Sequence, residues 1–386
     1  MYIEPMRREQ RKTVPGRSAP GMPEQMPELA ETVMAEVNMF FLQTDRIQRG
    51  ARDIDEVRES RDGLMRSEIA SRSKFALEQW DGGLYHMYQD GQERWLQHAD
   101  DAFDNPDRIR RVSRKVHSPP LTAEQYRDHL LRLDTTWKHR VNEDVVMLWD
   151  FGHMVCDGAG SRNRGTAGLM GRICGAVGAD QLKRLDVHEA DEKTVQETLR
   201  RIPTIAGELA RTALETNKMT KTAMDRASDD QYHMSHIDFA TTLDLYYYAR
   251  HLDQGFILHV GDGRNYAEYP DGTVVLLSKD HEEPTASGIS ALTSVVSPRS
   301  RPDYIDVIPV HPVPGTRIWS VTDGCFNTHE EHLPDVPFIT VVEDAARTAP
   351  GKRAKRLVEY AHHEQLIMDW FDDASAIVTT APANIR

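Results

Sequence analysis

The stretch from Lys138 to Gly165, KHRVNEDVVMLWDFGHMVCDGAGSRNRG, concentrates the residues that could do chemistry. It opens with a basic pair, His139 and Arg140, and an acidic pair, Glu143 and Asp144. An apolar run from Val145 to Trp149 follows, then a turn at Asp150 to Gly152 and a second run from His153 to Cys156. That run ends in Asp157-Gly158-Ala159-Gly160-Ser161. Two short apolar runs around a tight turn predict a β-hairpin with carboxylates at the outer end of both strands. Such a hairpin sets Glu143 or Asp144 beside Asp157. Carboxylates brought together repel one another, so a cation belongs between them. Taken alone, the stretch reads equally as a Gly-rich turn after a buried strand.

Three later segments carry the same signature: HVGDGRNY (His259 to Tyr266), VTDGC (Val321 to Cys325) and FDDASAIV (Phe371 to Val378). Each has an Asp at the end of, or just before, a strand-like run. In order, NED, DGAGS, ATTL, GDGR, TDG and DDAS resemble the metal-dependent PP2C-type (PPM) protein serine/threonine phosphatases. The family's usual forms are R-x-x-N-E-D, D-G-x-G, G-T-T, G-D-S-R, S-D-G and D-N/D-x-S/T. Each piece alone is weak, but together, in the family's order from Asn142 to Thr379, they are specific.

The resemblance implies an α+β fold: a central β-sandwich of two sheets flanked by helices, with an N-terminal helical region added. It also implies hydrolysis of phosphoserine or phosphothreonine in a phosphoprotein substrate. That chemistry needs a strong nucleophile and neutralised phosphoryl oxygens, and two divalent ions about 3.5–4 Å apart can supply both. All-oxygen donors suit Mn²⁺ or Mg²⁺. By position, Asp157 would bridge two ions, Gly158 would offer its carbonyl, and Asp323 and Asp372 would complete the set. Glu143 would be a ligand directly or through water, with Asp144 and Asp373 supporting. Asp238 is the candidate for a third ion, and Arg140, with Asp157, is the candidate catalytic residue.

The chain departs from the family at several points. The phosphate-binding Arg normally stands where this chain has His139, so Arg140 needs a register shift or bulge to reach the same face. Gly263 replaces the usual Ser of G-D-S-R, a change expected to touch a structural turn more than the metals. Ala240 replaces the first Gly of G-T-T, and Ala159 stands where many eukaryotic members carry His, as in bacterial members. The acidic set survives, which favours an active enzyme. The alternative is a catalytically weak binding module acting through its N-terminal helices.

The elements that must position these groups are also legible. Residues 1–25, rich in Pro, Arg and Gly, read as a disordered arm. Residues 26–103 read as helical, with one apolar face through Leu29, Val33, Val37, Phe40, Phe41 and Ile47. A second helical pattern runs from about Asp53 to Trp80, stopped by Asp81-Gly82-Gly83, and Leu84 to Phe103 follows as a shorter one. This region is a candidate surface for a protein partner. Residues 104–120 read as a basic linker, and 121–386 as the catalytic domain. Helices are expected from Thr166 to Val177, from about Glu192 to Asn217 with an interruption at Pro203, and from Arg353 to Asp369. Strands are expected through ATTLDLYYYARH, GFILHVGDGRNYAEY, GTVVLLS, RIWSVTDG and SAIVTT, with Asp271-Gly272 as a hairpin turn.

Composition narrows the partners. The 386 residues carry a formal net charge of −14, which argues against a general nucleic-acid binder or an anionic-membrane protein. No apolar run approaches the roughly 18 residues of a membrane span. The N-terminus lacks the apolar core of a signal peptide. Cys156, Cys174 and Cys325 show neither pairing nor zinc spacing, which fits a reducing cytoplasm. The glycines of DGAGSRNRG do not match G-x-G-x-x-G, and no G-K-S/T is present for a phosphate loop. His329-Glu330-Glu331-His332 lacks H-E-x-x-H spacing, and His362-His363-Glu364 reads as a solvated helix segment. Tyr246, Tyr247 and Tyr248 read as core.

Overall fold

The computed structural model describes residues 27–35, 37–38, 74–81, 84–89, 92–97, 143–149, 152–159, 166–187, 189–216, 239–284, 290–298, 301–368 and 372–381. Its strands are β1 (Lys74–Asp81), β2 (Leu84–Gln89), β3 (Gln92–Gln97), β4 (Val145–Trp149), β5 (Gly152–Cys156), β6 (Gly158–Ala159), β7 (Ala240–Thr241) and β8 (Leu243–Ala249). They continue with β9 (Gln254–Val260), β10 (Arg264–Glu268), β11 (Val274–Leu276), β12 (Glu282–Pro284), β13 (Ser290–Leu292), β14 (Asp306–Val310), β15 (Arg317–Val321) and β16 (Ala374–Thr380). Helices are α1 (Thr166–Val187), α2 (Glu192–Thr216), α3 (Asn327–His332), α4 (Ile339–Ala346) and α5 (Arg353–Met368). Residues 27–35 and 37–38 are also helical.

Two sheets carry the fold. One has the strand order β11-β10-β15-β16-β1-β2-β3 and the other β14-β9-β8-β5-β4. Among the described strands of these sheets, only β1 and β16 pair in parallel. The predicted hairpin is β4 and β5, with Val145 opposite Cys156, so Asp144 and Asp157 flank the same end.

Side-chain alternation explains the layering. In β4, Val145, Met147 and Trp149 enter the core shared with α1 and α2, whereas Val146 and Leu148 enter the interior against Phe75, Leu77 and Ile377. In β16, Ala374, Ala376 and Val378 join the core under α4 and α5, and Ile377 faces inward. Strands covered on both faces must be apolar at nearly every position, which is why they read as continuous runs. The result is helix, sheet, sheet, helix: the expected α+β sandwich. Leu29, Val33 and Val37 of the N-terminal helix are buried in the core of α1 and α2.

The helical reading of 53–80 and 84–103 is corrected over Lys74–Gln97, which forms three strands that extend the sheet beyond β16. Phe75 and Leu77 lie two apart and face the sandwich interior, and Asp81-Gly82-Gly83 falls between two strands. Long-range pairing with β16 decides the conformation here, as it commonly does for strands. Glu78 of β1 is buried and caps α5, accepting hydrogen bonds from the amides of Gly351 at 2.8 Å and Arg353 at 2.5 Å. The interruption expected at Pro203 is also corrected: α2 runs through it, with Ile202 and Ala206 fully buried on either side. The arm at 1–25, the linker at 104–120 and residues 39–73 lie outside the described residues.

A polar seam crosses the interior between the sheets. His153 Nδ1 lies 2.8 Å from Thr379 Oγ1 and Nε2 lies 2.8 Å from Ser320 Oγ; since Ser320 Oγ donates to Asn265 Oδ1 (2.6 Å), Nε2 is the donor to Ser320. Asn265 Nδ2 then donates to Asp244 Oδ1, which also accepts from His259 Nδ1 at 2.7 Å. Burial pushes the His153 pKa down to about 3, so the ring is neutral, and with Nε2 donating to Ser320 its Nδ1 accepts from Thr379. The unfolded imidazole titrates near ~6.5. Above that pH neither state is charged, and below it only the unfolded chain gains the proton. Stability attributable to His153 is therefore lost as pH falls from about 6.5 toward 3, by up to about 1.4 kcal/mol per pH unit. In urea unfolding between pH 6 and 4, His153→Gln should show a slope shallower than the wild-type slope by about that amount. Equal slopes would refute this.

Candidate active site

One end of the sandwich gathers the motif residues around a cavity of about 180 Å³. It is lined by Glu143, Asp157, Gly158, Ala159, Thr242, Asp262, Leu292, Asp323, Asp372 and Asp373. The six acids arrive from five strand ends: Glu143 before β4, Asp157 after β5, Asp262 between β9 and β10, Asp323 after β15, and Asp372 and Asp373 together before β16. Of the residues singled out in the sequence, Glu143, Asp157, Gly158, Asp323 and Asp372 are brought together here. Arg140, His139 and Asp238 lie outside the described residues.

The backbone at Asp157 is clamped by the two threonines of ATTL. Thr241 Oγ1 donates to Asp157 O at 2.7 Å, and the Thr242 amide donates to the same oxygen at 2.8 Å. The Asp157 amide in turn donates to Thr242 Oγ1 at 2.9 Å. Both hydroxyls are therefore used to hold a neighbouring acid. A second knot joins three acidic segments. Asp144 Oδ2 accepts from Ser375 Oγ (2.6 Å) and Thr322 Oγ1 (3.2 Å), and the Ser375 amide donates to Thr322 Oγ1 (2.9 Å). The Glu143 amide donates to Asp373 Oδ2 at 3.2 Å. Asp144 and Asp373 thus tie the acidic segments to one another, and Asp373 also lines the cavity.

The TDG turn is held against the DDAS segment by glycine and glutamine. A Cβ on Gly324 would fall 1.9 Å from the Asp373 carbonyl oxygen, so this close approach admits no side chain. Fully buried Gln365 of α5 donates from Nε2 to Gly324 O at 2.8 Å and to Asp372 O at 3.1 Å. Gln365→Leu would leave both carbonyls without this donor and should cost about 1–3 kcal/mol. Urea unfolding measures that loss, and an unchanged midpoint would contradict it.

The electrostatics define what the cavity can accept. Burial first, then the Asp323 and Asp144 carboxylates, hold Asp157 well above the ordinary carboxylate range. Burial and then Asp373 do the same to Asp144, opposed by the Ser375 hydroxyl. Burial, then Asp323 and Glu282, raise Asp262. Asp323 Oδ1 is buried with no hydrogen-bond partner among the described residues, while its Oδ2 accepts from Asn327 Nδ2 at 2.7 Å. Among the described lining residues there is no cationic side chain. The donors are all oxygen, a set whose chemistry suits hard divalent cations. Among the described residues, however, no group of three or more acids, histidines or cysteines is arranged to hold an ion as it stands.

The GDGR motif divides in two. Asp262 lines the cavity, a position that the sequence reading did not assign to it. Nothing local distinguished it, because its strand-end position resembles that of a turn Asp. Arg264 fits the structural reading. It donates to Asp280 Oδ2 (2.7 Å) and Glu330 Oε1 (2.5 Å), and its guanidinium lies 3.8 Å from the Phe326 ring centre. The Ser-to-Gly departure has a packing cause. A Cβ on Gly263 would fall 2.0 Å from Asp244 Oδ2. The carboxylate of β8 occupies the space that a serine side chain at this position would need.

The remaining candidates are structural. His329 bonds Tyr360 Oη and Val336 O, and His332 Nδ1 lies 2.7 Å from buried Glu364, which is therefore not a solvated residue. The three cysteines are buried and free, and Tyr246, Tyr247 and Tyr248 are core. Among the described residues no helix is long and apolar enough to cross a membrane.

Known proteins complete the picture. No curated protein matches the sequence. Among solved structures the chain is similar to PppA, described as a key regulatory component of T6SS in Pseudomonas aeruginosa. The identity is 17%, over 64% of this chain and 95% of that one, with a TM-score of 0.42. It is also similar to the serine/threonine phosphatase PstP/Ppp of Mycobacterium tuberculosis (17%, 60% and 90%, TM-score 0.40). A third is the Ser-Thr phosphatase MsPP of Mycobacterium smegmatis (19%, 64% and 94%, TM-score 0.39). Residues 136–360 match the family described as Protein phosphatase 2C. That match spans more than half of the 386 residues and holds every described acid of the cavity except Asp372 and Asp373, so the chain belongs to the protein phosphatase 2C family.

Proposed function

We propose that this chain hydrolyses phosphoserine and phosphothreonine in a phosphoprotein, using two divalent cations, Mn²⁺ or Mg²⁺. The observation that carries this reading is the cavity itself. Six carboxylates, those of Glu143, Asp157, Asp262, Asp323, Asp372 and Asp373, converge there with no cationic side chain among the described lining residues. Asp157 would be shared between two ions, with the Gly158 carbonyl, Asp323 and Asp372 as further ligands and Glu143 bound directly or through water. When bound, the ions would supply the charge that activates a water and neutralises the phosphoryl oxygens. Asp262, beside Asp323, is the described acid best placed to serve a third ion, whereas Asp238 lies outside the described residues.

The chain's own residues supply orientation. Thr241 and Thr242 fix the Asp157 backbone and so position its carboxyl group beside Asp323. Asp144 ties the strands that deliver Glu143, Asp323 and Asp372, and Gln365 locks the last two together. Ala159 and Leu292 give the cavity its apolar lining. Arg140 is proposed to bind the substrate phosphate. A partner meeting the N-terminal helix would have to use a face other than that of Leu29, Val33 and Val37, which is buried.

Calorimetric titration of the metal-free protein with Mn²⁺ tests the reading. Saturable binding near two ions per chain, released by EDTA, is the expected result. A folded protein that binds no Mn²⁺ would refute it and leave a catalytically silent member of the family.

A further inference from the structure

Two pieces of the cavity wall are joined through one buried histidine. Gly261, beside Asp262, makes both of its backbone hydrogen bonds to His281. Gly261 O accepts from the His281 amide at 2.8 Å, and the Gly261 amide donates to His281 Nδ1 at 3.1 Å. On its other side, His281 O accepts from the Thr293 amide and from Thr293 Oγ1, both at 2.8 Å. Thr293 follows Leu292, which lines the cavity from the β12–β13 hairpin. Asp262 and Leu292 are therefore each one residue from a group bonded to His281.

The ring itself is fixed on every side. It is 8% exposed, lies 4.6 Å from the His259 ring and 5.6 Å from the Tyr304 ring, and places Nε2 3.3 Å from Asp306 Oδ2. His259 is anchored in turn by Asp244 at 2.7 Å and by Lys279 O at 3.0 Å. Nδ1 can accept the Gly261 amide only in the neutral form protonated at Nε2, which then points its N–H at Asp306. Burial and the neighbouring His259 both favour that neutral form.

Resting on the phosphatase reading above, we infer that His281 is a positioning residue that holds the Asp262 turn and the β12–β13 hairpin in one register at the cavity. Its Nδ1 acceptor is the specific element, beyond the volume of the ring. His281→Asn keeps an acceptor near the Nδ1 position, His281→Gln moves it outward, and His281→Leu removes it while keeping bulk.

The test compares these variants by amide hydrogen exchange at Gly261 and Thr293, and by Mn²⁺-dependent turnover of p-nitrophenyl phosphate. Leu and Gln should raise exchange at Gly261 about tenfold or more, and Asn should stay within about threefold of wild type. In the same variants kcat should fall about tenfold for Leu and Gln with KM changed less than about twofold, and Asn should restore kcat. If His281→Leu does not fold, the Asn and Gln variants decide. Equal exchange in Asn and Gln, or wild-type protection in Leu, would overturn the inference. If wild-type protein neither binds Mn²⁺ nor turns over, the phosphatase reading fails separately. The exchange comparison still decides the role of His281.

Discussion

Asp157→Asn is expected to lower Mn²⁺-dependent hydrolysis of a phosphothreonine peptide by at least about 10³-fold while leaving the protein folded. The fold should survive because Thr241 and Thr242 hold Asp157 through its backbone, and an amide in place of the carboxyl can keep a side-chain hydrogen bond to Asp323. The carboxylate is the shared oxygen donor of the proposed ion pair. Its loss should reduce calorimetric Mn²⁺ binding in step with turnover.

The metal-free variant offers a second readout with an opposite sign. Burial and the Asp323 carboxylate raise the folded-state pKa of Asp157. A raised carboxyl stabilises the fold fully below its unfolded value, and that contribution is lost as pH rises through the folded value. Neutral Asn suffers no such loss. Metal-free Asp157→Asn should therefore melt higher than metal-free wild type at neutral pH, although it is the less active protein. A lower melting temperature would show that the carboxylate holds the fold together and that the crowding of charge described here is wrong.

Gly263→Ser, which restores the family's usual residue, is expected to destabilise this chain by about 3 kcal/mol or more. The added Cβ would sit 2.0 Å from Asp244 Oδ2 and 3.3 Å from Val321 O. Asp244 cannot swing aside freely, because Oδ1 is bonded to His259 and Asn265 in the buried seam. Asp244→Ala should itself cost about 2–4 kcal/mol, since it leaves those partners unpaired. In that background Gly263→Ser should cost less than about 1 kcal/mol. A double-mutant cycle by urea unfolding measures the coupling. Additive losses would mean that Gly263 answers to something other than the Asp244 carboxylate.

This pair shows why part of the site was hidden in the sequence. The departure at Gly263 is visible in the motif, but its cause sits on a different strand and becomes a neighbour only through the β-sandwich. Gln365 is similar: a polar residue on a helix, with no local mark that it bonds two carbonyls of the acidic loops. By contrast, Glu143, Asp157, Asp323 and Asp372 were legible because each flanks one end of an apolar run within a motif of the family's order, and a sheet stacks such ends together. The β4–β5 hairpin, α2 apart from its passage through Pro203, and β16 were legible for a related reason, since strands covered on both faces and a long amphipathic helix carry strong periodicity, whereas α1 runs ten residues past the expected end at Val177. Lys74–Gln97 was misread because its apolar alternation is short and its strand state depends on pairing with β16, far away in the chain. Asp262 lies between β9 and β10, and its place in the cavity wall follows from how that segment packs, with Gly261 bonded to His281 twenty residues on.

The acids of this cavity are proposed to serve a metal-dependent hydrolysis. The most direct measurement is phosphate release from a phosphothreonine peptide by the full chain, first with Mn²⁺, then with EDTA in excess, then with Mn²⁺ restored. Turnover that stops with EDTA and returns with Mn²⁺ is the predicted result. Folded protein that saturates with Mn²⁺ yet releases no phosphate from the peptide or from p-nitrophenyl phosphate would contradict it.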